Sequence, residues 1–384
     1  MSSEVAMPPR DRSVTLPDRG PAPDDPIAAS EIPSGTFREI LYERSGAVAV
    51  VTLNRPDALN AYRTLTLREL ARAVQHASVD DKIGVIVLTG AGTHAFCTGG
   101  DVKEYADRFV RRPHDYWKYM AVFREAVESL LRCGKPVIAR LNGMAVGGGN
   151  ELHLACDLSV AASHVFLGQV GVGVGSVASG GATQWLPLAV GDRRARAMLM
   201  LNERIYATQA AEWGLVTSVV PSVVRDGEWI LSPTVDEVAR ARKGEKGYRI
   251  DLKKLDEAVD ALAKRLLGMF PECLRYTKAQ TNFWKELAWN QTIGHAQEWL
   301  ALHFATLEPF EGMRAFVEKR PARITELRQR IAGAQESDYL HGAPLQVCDR
   351  CGETGLPSRF EFCGKCGAAL APTTNRGSAE RKGG

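Results

Sequence analysis

The chain has 384 residues, 45% of them hydrophobic and 24% charged, with a formal net charge of +3. That length and apolar content can close one large core and leave room for a small appendage. The near balance of charge argues against nucleic acid or an anionic membrane as the main partner, and no apolar stretch is long enough to span a bilayer.

Residues 1–34 are rich in Pro, Asp, Arg and Ser and lack the apolar run of a secretory signal, so they read as a disordered leader. An α/β core is expected over 35–270. It opens with paired strands at 37–42 and 47–53, joined at Ser45-Gly46, and Leu67, Leu70, Ala71 and Val74 then recur at helical spacing. A strand at 84–89 precedes a first glycine loop, Phe96-Cys-Thr-Gly-Gly-Asp101, and a helix near 115–131. A second strand, 136–141, leads to Asn142-Gly-Met-Ala-Val-Gly-Gly-Gly-Asn-Glu151 and a helix at 150–156. Alternation continues through 158–161, 165–167 and 182–188, which predicts a mainly parallel α/β architecture. An insertion at about 222–252 carries the charged run 240–246, read as a solvated face. The helical region 271–335 spaces Trp284, Trp289, Trp299 and Phe304 as core or subunit interface would require. A linker at 336–346, a cysteine-rich segment at 347–370 and a flexible tail at 371–384 complete the chain.

Each glycine cluster follows an apolar run and precedes a helical segment. Glycine there lets the backbone approach a ligand, and the first amides of a helix have no partner within it. A helix N-terminus is partially positive, so two such amide sources aimed at one carbonyl would stabilise the oxyanion of acyl chemistry. Tight strand-to-helix turns are the simpler account of the same glycines. Glu151 falls in the first turn of the second helix, within reach of a ligand's reacting carbons; stabilising its own helix N-terminus is the alternative.

Of the 8 cysteines, Cys97, Cys133, Cys156 and Cys273 stand singly in apolar contexts, as buried thiols of a reducing, cytoplasmic compartment do. The others form two C-x-x-C pairs, Cys348-Asp-Arg-Cys351 and Cys363-Gly-Lys-Cys366, each followed by glycine. Two such pairs present four thiolates at a spacing that suits Zn²⁺; redox dithiols are the alternative. The segment is too small to fold on apolar burial alone, so a structural metal would supply much of its folding energy. It resembles a zinc ribbon.

Together with Thr52-Leu-Asn-Arg-Pro-Asp-Ala-Leu-Asn-Ala61 and Gly180-Gly-Ala-Thr-Gln-Trp-Leu-Pro187, the two glycine loops resemble the crotonase (enoyl-CoA hydratase/isomerase) superfamily over roughly 37–322. The resemblance implies a spiral of ββα turns, C-terminal helices that assemble a trimer or hexamer, an acyl-CoA thioester substrate and no catalytic cofactor. It maps an oxyanion hole to the amides of Gly100 and Gly148, and an acid/base role to Glu151. It lays coenzyme A along Ala58, Leu59 and the 95–100 backbone, Ala95 and Thr98 included. Asp101, Gly147, Gly171 and Ser176 become further substrate contacts. Asp101 and Tyr105 are candidates for a second acid/base or water-holding group, and His153 faces either the ligand or the core.

The departures point to a subgroup. Ordinary hydratases carry a second glutamate in a Gly-Gln-Pro-Glu stretch, and here it reads Gly168-Gln-Val-Gly171. Dihydroxynaphthoyl-CoA synthases also have glycine there, but with an aspartate in the following loop, where this chain has Ser176-Val-Ala178. The 6-oxocyclohex-1-ene-1-carbonyl-CoA hydrolases are more similar, through Phe96-Cys-Thr-Gly-Gly-Asp-Val-Lys-Glu-Tyr-Ala106, Lys135-Pro-Val-Ile138, the 226–234 insertion and Phe270-Pro-Glu-Cys-Leu274. That likeness implies water addition to a cyclic oxo-enoyl-CoA, then hydrolytic ring opening; Asp101 stands where that group has asparagine. A simple hydratase, a double-bond isomerase, and a crotonase scaffold acting through its ribbon as a partner-binding module are the alternatives.

Overall fold

The computed structural model describes residues 37–332, 345–354, 356–357 and 360–370. The expected leader and tail, and most of the expected linker, lie outside the described residues. Strands β1 (Ile40–Ser45) and β2 (Val48–Leu53) pair antiparallel about Gly46, whose φ is 59°. Helix α1 (Thr64–Val79) follows and buries the expected Leu67, Leu70, Ala71 and Val74.

Strands then arrive in pairs: β3 (Val85–Gly90) with β4 (Ala95–Cys97), β5 (Val137–Leu141) with β6 (Met144–Val146), and β7 (Leu158–Ala162) with β8 (Phe166–Gly168). Helices separate the pairs. After the first come α2 (Val102–Glu104), a π-helical turn at Tyr105–Phe109, and α3 (Pro113–Arg132). After the second comes α4 (Gly148–Ala155), starting two residues before the sequence suggested, and after the third α5 (Ala182–Val190) and α6 (Asp192–Leu201). Strand β9 (Arg204–Tyr206), helix α7 (Ala207–Glu212) and strand β10 (Ser218–Val220) follow.

The leading strand of each pair joins a six-stranded sheet ordered β1-β2-β3-β5-β7-β10, and the trailing strand a four-stranded sheet ordered β4-β6-β8-β9. From β2 to β10 the larger sheet is parallel. Its central strands are covered on both faces, so β3 is buried at every residue and reads as a continuous apolar run. Two sheets fed alternately by successive strands make a spiral of ββα turns.

The insertion has a fold of its own. Strands β11 (Val223–Arg225), β12 (Glu228–Ile230) and β13 (Tyr248–Ile250) form a three-stranded antiparallel sheet ordered β12-β11-β13. With α8 (Val235–Lys243) it encloses a core of Val223, Val238 and Ala241. Ser222 ties it to the spiral through its hydroxyl, 2.7 Å from His164 Nδ1. Both residues are inaccessible, so this Ser–His pair is a structural joint.

Helices α9 (Lys253–Leu267), α10 (Pro271–Thr281), α11 (Phe283–His303), α12 (Leu307–Val317) and α13 (Ile324–Ala332) follow. The tryptophan series divides: Trp289 and Phe304 are buried, Trp299 is partly so, and Trp284 is exposed. Short strands β14 (Leu345–Gln346) and β15 (Leu356–Pro357) pair in the cysteine-rich segment. No helix among the described residues is long and apolar enough to cross a membrane.

Candidate active site

Strands β4, β6 and β8 are hydrogen-bonded neighbours running parallel, with Cys97 opposite Ala145 and Val146 opposite Gly168. The chain therefore leaves all three at the same sheet edge, and residues 98–101, 147–148 and 169–176 meet on one rim. Loops of an α/β sheet collect ligands at the carboxyl ends of strands for this reason. Gly99 and Gly147 turn the chain at φ 88° and 56°, a region that L side chains rarely enter. The loops touch backbone to backbone: a Cβ added to Gly99 would lie 2.8 Å from the Gly148 nitrogen.

The amides of Gly100 and Gly148 donate to no protein acceptor among the described residues. Gly148 opens α4, so its N–H is one of the unpaired donors of a helix start. Gly100 is held from both sides, by Tyr62 N–H to the Gly99 carbonyl and Asp101 N–H to the Tyr62 carbonyl, each 2.8 Å. Those bonds clamp the loop without using Gly100's own N–H.

The rim opens on a cavity of about 1060 Å³. Ala58, Leu59 and Thr98 line it, as do Gly100, Asp101, Gly147 and Gly148. So do Gly171 and Ser176, which close a turn through Ser176 N–H to the Gly171 carbonyl at 2.9 Å. Ala95 departs from the expectation. It is buried and does not line the cavity, and its carbonyl accepts the side-chain amides of Asn60 at 2.8 Å and Asn142 at 3.1 Å. A strand interior has already committed that oxygen.

Glu151 projects from α4 into the cavity and is only 4% exposed. Its Oε1 accepts the N–H groups of Gly180 at 2.6 Å and Ala182 at 3.2 Å, where α5 begins. Burial pushes its carboxyl up to about 7, and the two amides pull the other way. Desolvation is the larger effect, as expected for a charge removed from water. Gly180 is required here: a Cβ on it would fall on the Phe123 ring and 2.7 Å from Glu151 Oε2.

The weaker candidates separate. Asp101 Oδ1 caps α2 by accepting Lys103 N–H at 3.0 Å and Glu104 N–H at 3.3 Å, while Oδ2 pairs with Arg55 at 2.8 Å. Both oxygens are engaged in framework bonds. His153 faces the core, its Nδ1 3.1 Å from Asn150 Oδ1, and burial lowers its pKa to about 3. Tyr105 lines the cavity, and its hydroxyl lies 2.6 Å from that of Tyr119.

Sequence reading missed three companions of Tyr105: Tyr62, Tyr116 and Tyr119 also line the cavity. Tyr62 stacks on Phe123 with ring centroids 5.5 Å apart, and Tyr105 meets Tyr119 edge-on at 5.3 Å. A Cβ on Gly148 would fall on the Tyr62 hydroxyl, and one on Gly100 on the Tyr105 hydroxyl. These glycines thus seat a phenol as well as present an amide. Tyr116, Tyr119, Met120 and Phe123 recur at helical spacing along α3, which in sequence reads as ordinary core.

In the cysteine-rich segment, the Sγ atoms of Cys348, Cys351, Cys363 and Cys366 all lie within 4.8 Å of one another. Cys348 and Cys366 are 3.6 Å apart and Cys351 and Cys363 3.7 Å. Tetrahedral sulfurs at about 2.3 Å from Zn²⁺ are about 3.8 Å apart, so the donor set fits that ion. Both pairs use the same turn: Gly352 N–H bonds the Cys348 carbonyl at 2.8 Å and Gly367 N–H the Cys363 carbonyl at 2.9 Å, with φ 70° and 69°.

A ββα spiral whose glycine loops bring main-chain amides over one cavity is the architecture of crotonase-type acyl-CoA enzymes. Residues 43–238 match the enoyl-CoA hydratase/isomerase family, and the chain belongs to it. It is 38% identical over 309 residues to a 6-oxocyclohex-1-ene-1-carbonyl-CoA hydrolase of Geobacter metallireducens, covering 74% of this chain and 81% of the relative. A protein of the same description from Thauera aromatica is 36% identical over 307 residues, covering 73% and 81%. Among solved structures, an enoyl-CoA hydratase from Mycobacterium avium subsp. paratuberculosis superposes with a TM-score of 0.60 at 25% identity, over 75% of this chain and 99% of that one. An enoyl-CoA hydratase/isomerase from Mycobacterium paratuberculosis gives a TM-score of 0.60 at 28% identity, over 72% and 97%.

Proposed function

We propose that this enzyme binds a cyclic oxo-enoyl-CoA thioester, adds water across the ring double bond, and then opens the ring by hydrolysing a C–C bond. One observation carries the reading: two main-chain amides without protein acceptors among the described residues and one buried carboxylate share a single cavity. Glycine at 171, in place of a second carboxylate, and the descriptions of the two hydrolase relatives support the ring substrate.

In the first step the water oxygen bonds to the β-carbon, and the double-bond electrons move into the thioester oxygen, held by the amides of Gly100 and Gly148. Glu151 takes a proton from the water and returns one to the α-carbon. In the second step water attacks the ring ketone. The bond from that carbon to the α-carbon breaks, and its electron pair again enters the thioester enolate. The α-carbon is protonated through Glu151, and the former ketone carbon becomes the carboxylate at the far end of the opened chain. Both steps build charge on the same oxygen, so one amide pair and one carboxylate serve for both.

Ala58, Leu59 and Thr98 would contact coenzyme A, and Lys103, Arg204 and Lys319 on the cavity wall suit its phosphates. Asp101 would act on the framework through Arg55. Residues 35–270 form the catalytic unit in this reading. Region 271–335 serves homo-oligomer assembly as trimer or hexamer, a role that the exposed Phe283 and Trp284 support. Cys348, Cys351, Cys363 and Cys366 would hold a structural Zn²⁺; four sulfur ligands fill its tetrahedral shell. The buried free thiols of Cys97, Cys133 and Cys156 suit a cytoplasmic setting.

The test incubates the protein with crotonyl-CoA, cyclohex-1-ene-1-carbonyl-CoA and its 6-oxo derivative, and resolves products by mass. Gain of two waters on the oxo substrate supports ring opening. One water and no more on the oxo substrate reduces the activity to hydration. Unchanged mass with a moved double bond makes it an isomerase, which a single carboxylate also permits.

A further inference from the structure

We propose that the phenol cluster of Tyr62, Tyr105 and Tyr119 is a second oxygen receptor, which binds the ring ketone while the main-chain amides bind the thioester. The inference rests on the ring-opening reading above and assigns side chains to a part of the substrate that the amides and Glu151 leave unheld.

Tyr62 is 2% exposed and Tyr119 3%, yet each lines the cavity. A phenol hydroxyl carries one donor hydrogen and two acceptor positions. In the Tyr105–Tyr119 pair one hydrogen is used between the two oxygens, 2.6 Å apart, and the other is left to donate. The Tyr62 hydroxyl bonds no protein group among the described residues. Two donors are thus uncommitted where the cavity meets the amides, Tyr62 against Gly148 and Tyr105 against Gly100. Burial raises the pKa of all three phenols, so they remain protonated donors and do not compete with Glu151 as bases.

Packing alone does not call for these hydroxyls. Phe109 and Phe304 belong to the same ring cluster but lie behind the cavity wall, and they are phenylalanines. Tyr62, Tyr105, Tyr116 and Tyr119 reach the wall and carry hydroxyls; Phe123, Phe166 and Phe316 also line the cavity, and of these Phe123 belongs to the ring cluster. A purely hydrocarbon acyl group would leave the buried donors without an acceptor, whereas a ring ketone supplies one. In the hydrolytic step, water bonds to the ketone carbon and the carbonyl pair moves onto its oxygen. That oxygen becomes the anion the phenols hold until the C–C bond breaks into the thioester enolate.

The test measures affinity apart from turnover, by calorimetry in a Glu151→Gln background. The ligands are 6-oxocyclohex-1-ene-1-carbonyl-CoA and cyclohex-1-ene-1-carbonyl-CoA, which lacks the ketone. Tyr62→Phe and Tyr105→Phe keep the rings, and circular dichroism checks their fold. Each is expected to reduce the oxo-to-deoxy affinity ratio about three- to tenfold, the effect of one hydrogen bond, with deoxy binding within about twofold. No preference for the oxo ligand before substitution, a ratio unchanged in the Tyr62→Phe/Tyr105→Phe/Tyr119→Phe triple variant, or equal loss for both ligands would each overturn the proposal. Failure of the unsubstituted enzyme to add two waters sinks the ring-opening reading instead, and the affinity ratio still decides for or against the phenols.

Discussion

Replacing Glu151 by Gln should cost activity and gain stability at the same time. The substitution keeps an oxygen for the Gly180 and Ala182 amides and removes only the charge and the proton site. Burial raises the carboxyl from 4.5 to about 7. The folded state therefore binds more protons than the unfolded chain between those values, and stability falls as pH rises through the window. At about 1.4 kcal/mol per unit, the ionised carboxylate costs on the order of 3 kcal/mol above pH 7. Glu151→Gln should exceed the parent by up to that amount at pH 8 and match it near pH 4.5. Turnover runs the other way, because water activation needs the carboxylate. A group with pKa 7 is about 1% ionised at pH 5 and about 90% at pH 8, so kcat/KM should rise nearly a hundredfold across that range. The glutamine substitution should remove this limb and lower the rate by about two to four orders of magnitude. Paired urea denaturation at the two pH values and a kcat/KM profile decide the matter. A flat profile in the parent, or a variant no more stable than it at pH 8, would refute the account of Glu151 as a buried, strained base.

Gly148→Ala drives a Cβ onto the Tyr62 hydroxyl and should displace the neighbouring amide, lowering kcat about 100- to 1000-fold with the far-ultraviolet spectrum unchanged. Asp101→Asn keeps the α2 cap but discharges the Arg55 pair; a melting-temperature loss worth about 1.5–3 kcal/mol with turnover within about tenfold is expected, and abolished turnover in a folded variant would make Asp101 catalytic. Elemental analysis should find one zinc per chain, and Cys351→Ser together with Cys363→Ser should abolish it. A chain that keeps its zinc after both changes would disprove the four-cysteine site.

Much of the spiral was legible because its determinants are local. Apolar runs ending in glycine at 99–100 and 147–149 announce a strand, a turn that needs unusual φ, and a helix start. The Cys348/Cys351 and Cys363/Cys366 pairs are local in the same sense, since each knuckle closes on its own glycine. Glu151 stands out because a carboxylate so near a glycine-rich helix start is chemically conspicuous.

What only tertiary structure decided depends on partners far along the chain. Asp101 is one of two candidates for a second acid/base in sequence, and the fold pairs it with Arg55, 46 residues away. Ala95 looks like ligand-facing backbone until Asn60 and Asn142 claim its carbonyl. The small core of the 222–252 segment, Val223, Val238 and Ala241, is too sparse to show a period in sequence. The phenols are the clearest case. Tyr62 precedes α1, Tyr105 sits in a π-helical turn and Tyr119 lies on α3, and nothing in their order along the chain says that three hydroxyls meet beside two amides. Hydrogen-bond periods and turn geometry are properties of neighbours in sequence, whereas the commitment of a polar group is settled by whatever the folded chain carries up to it.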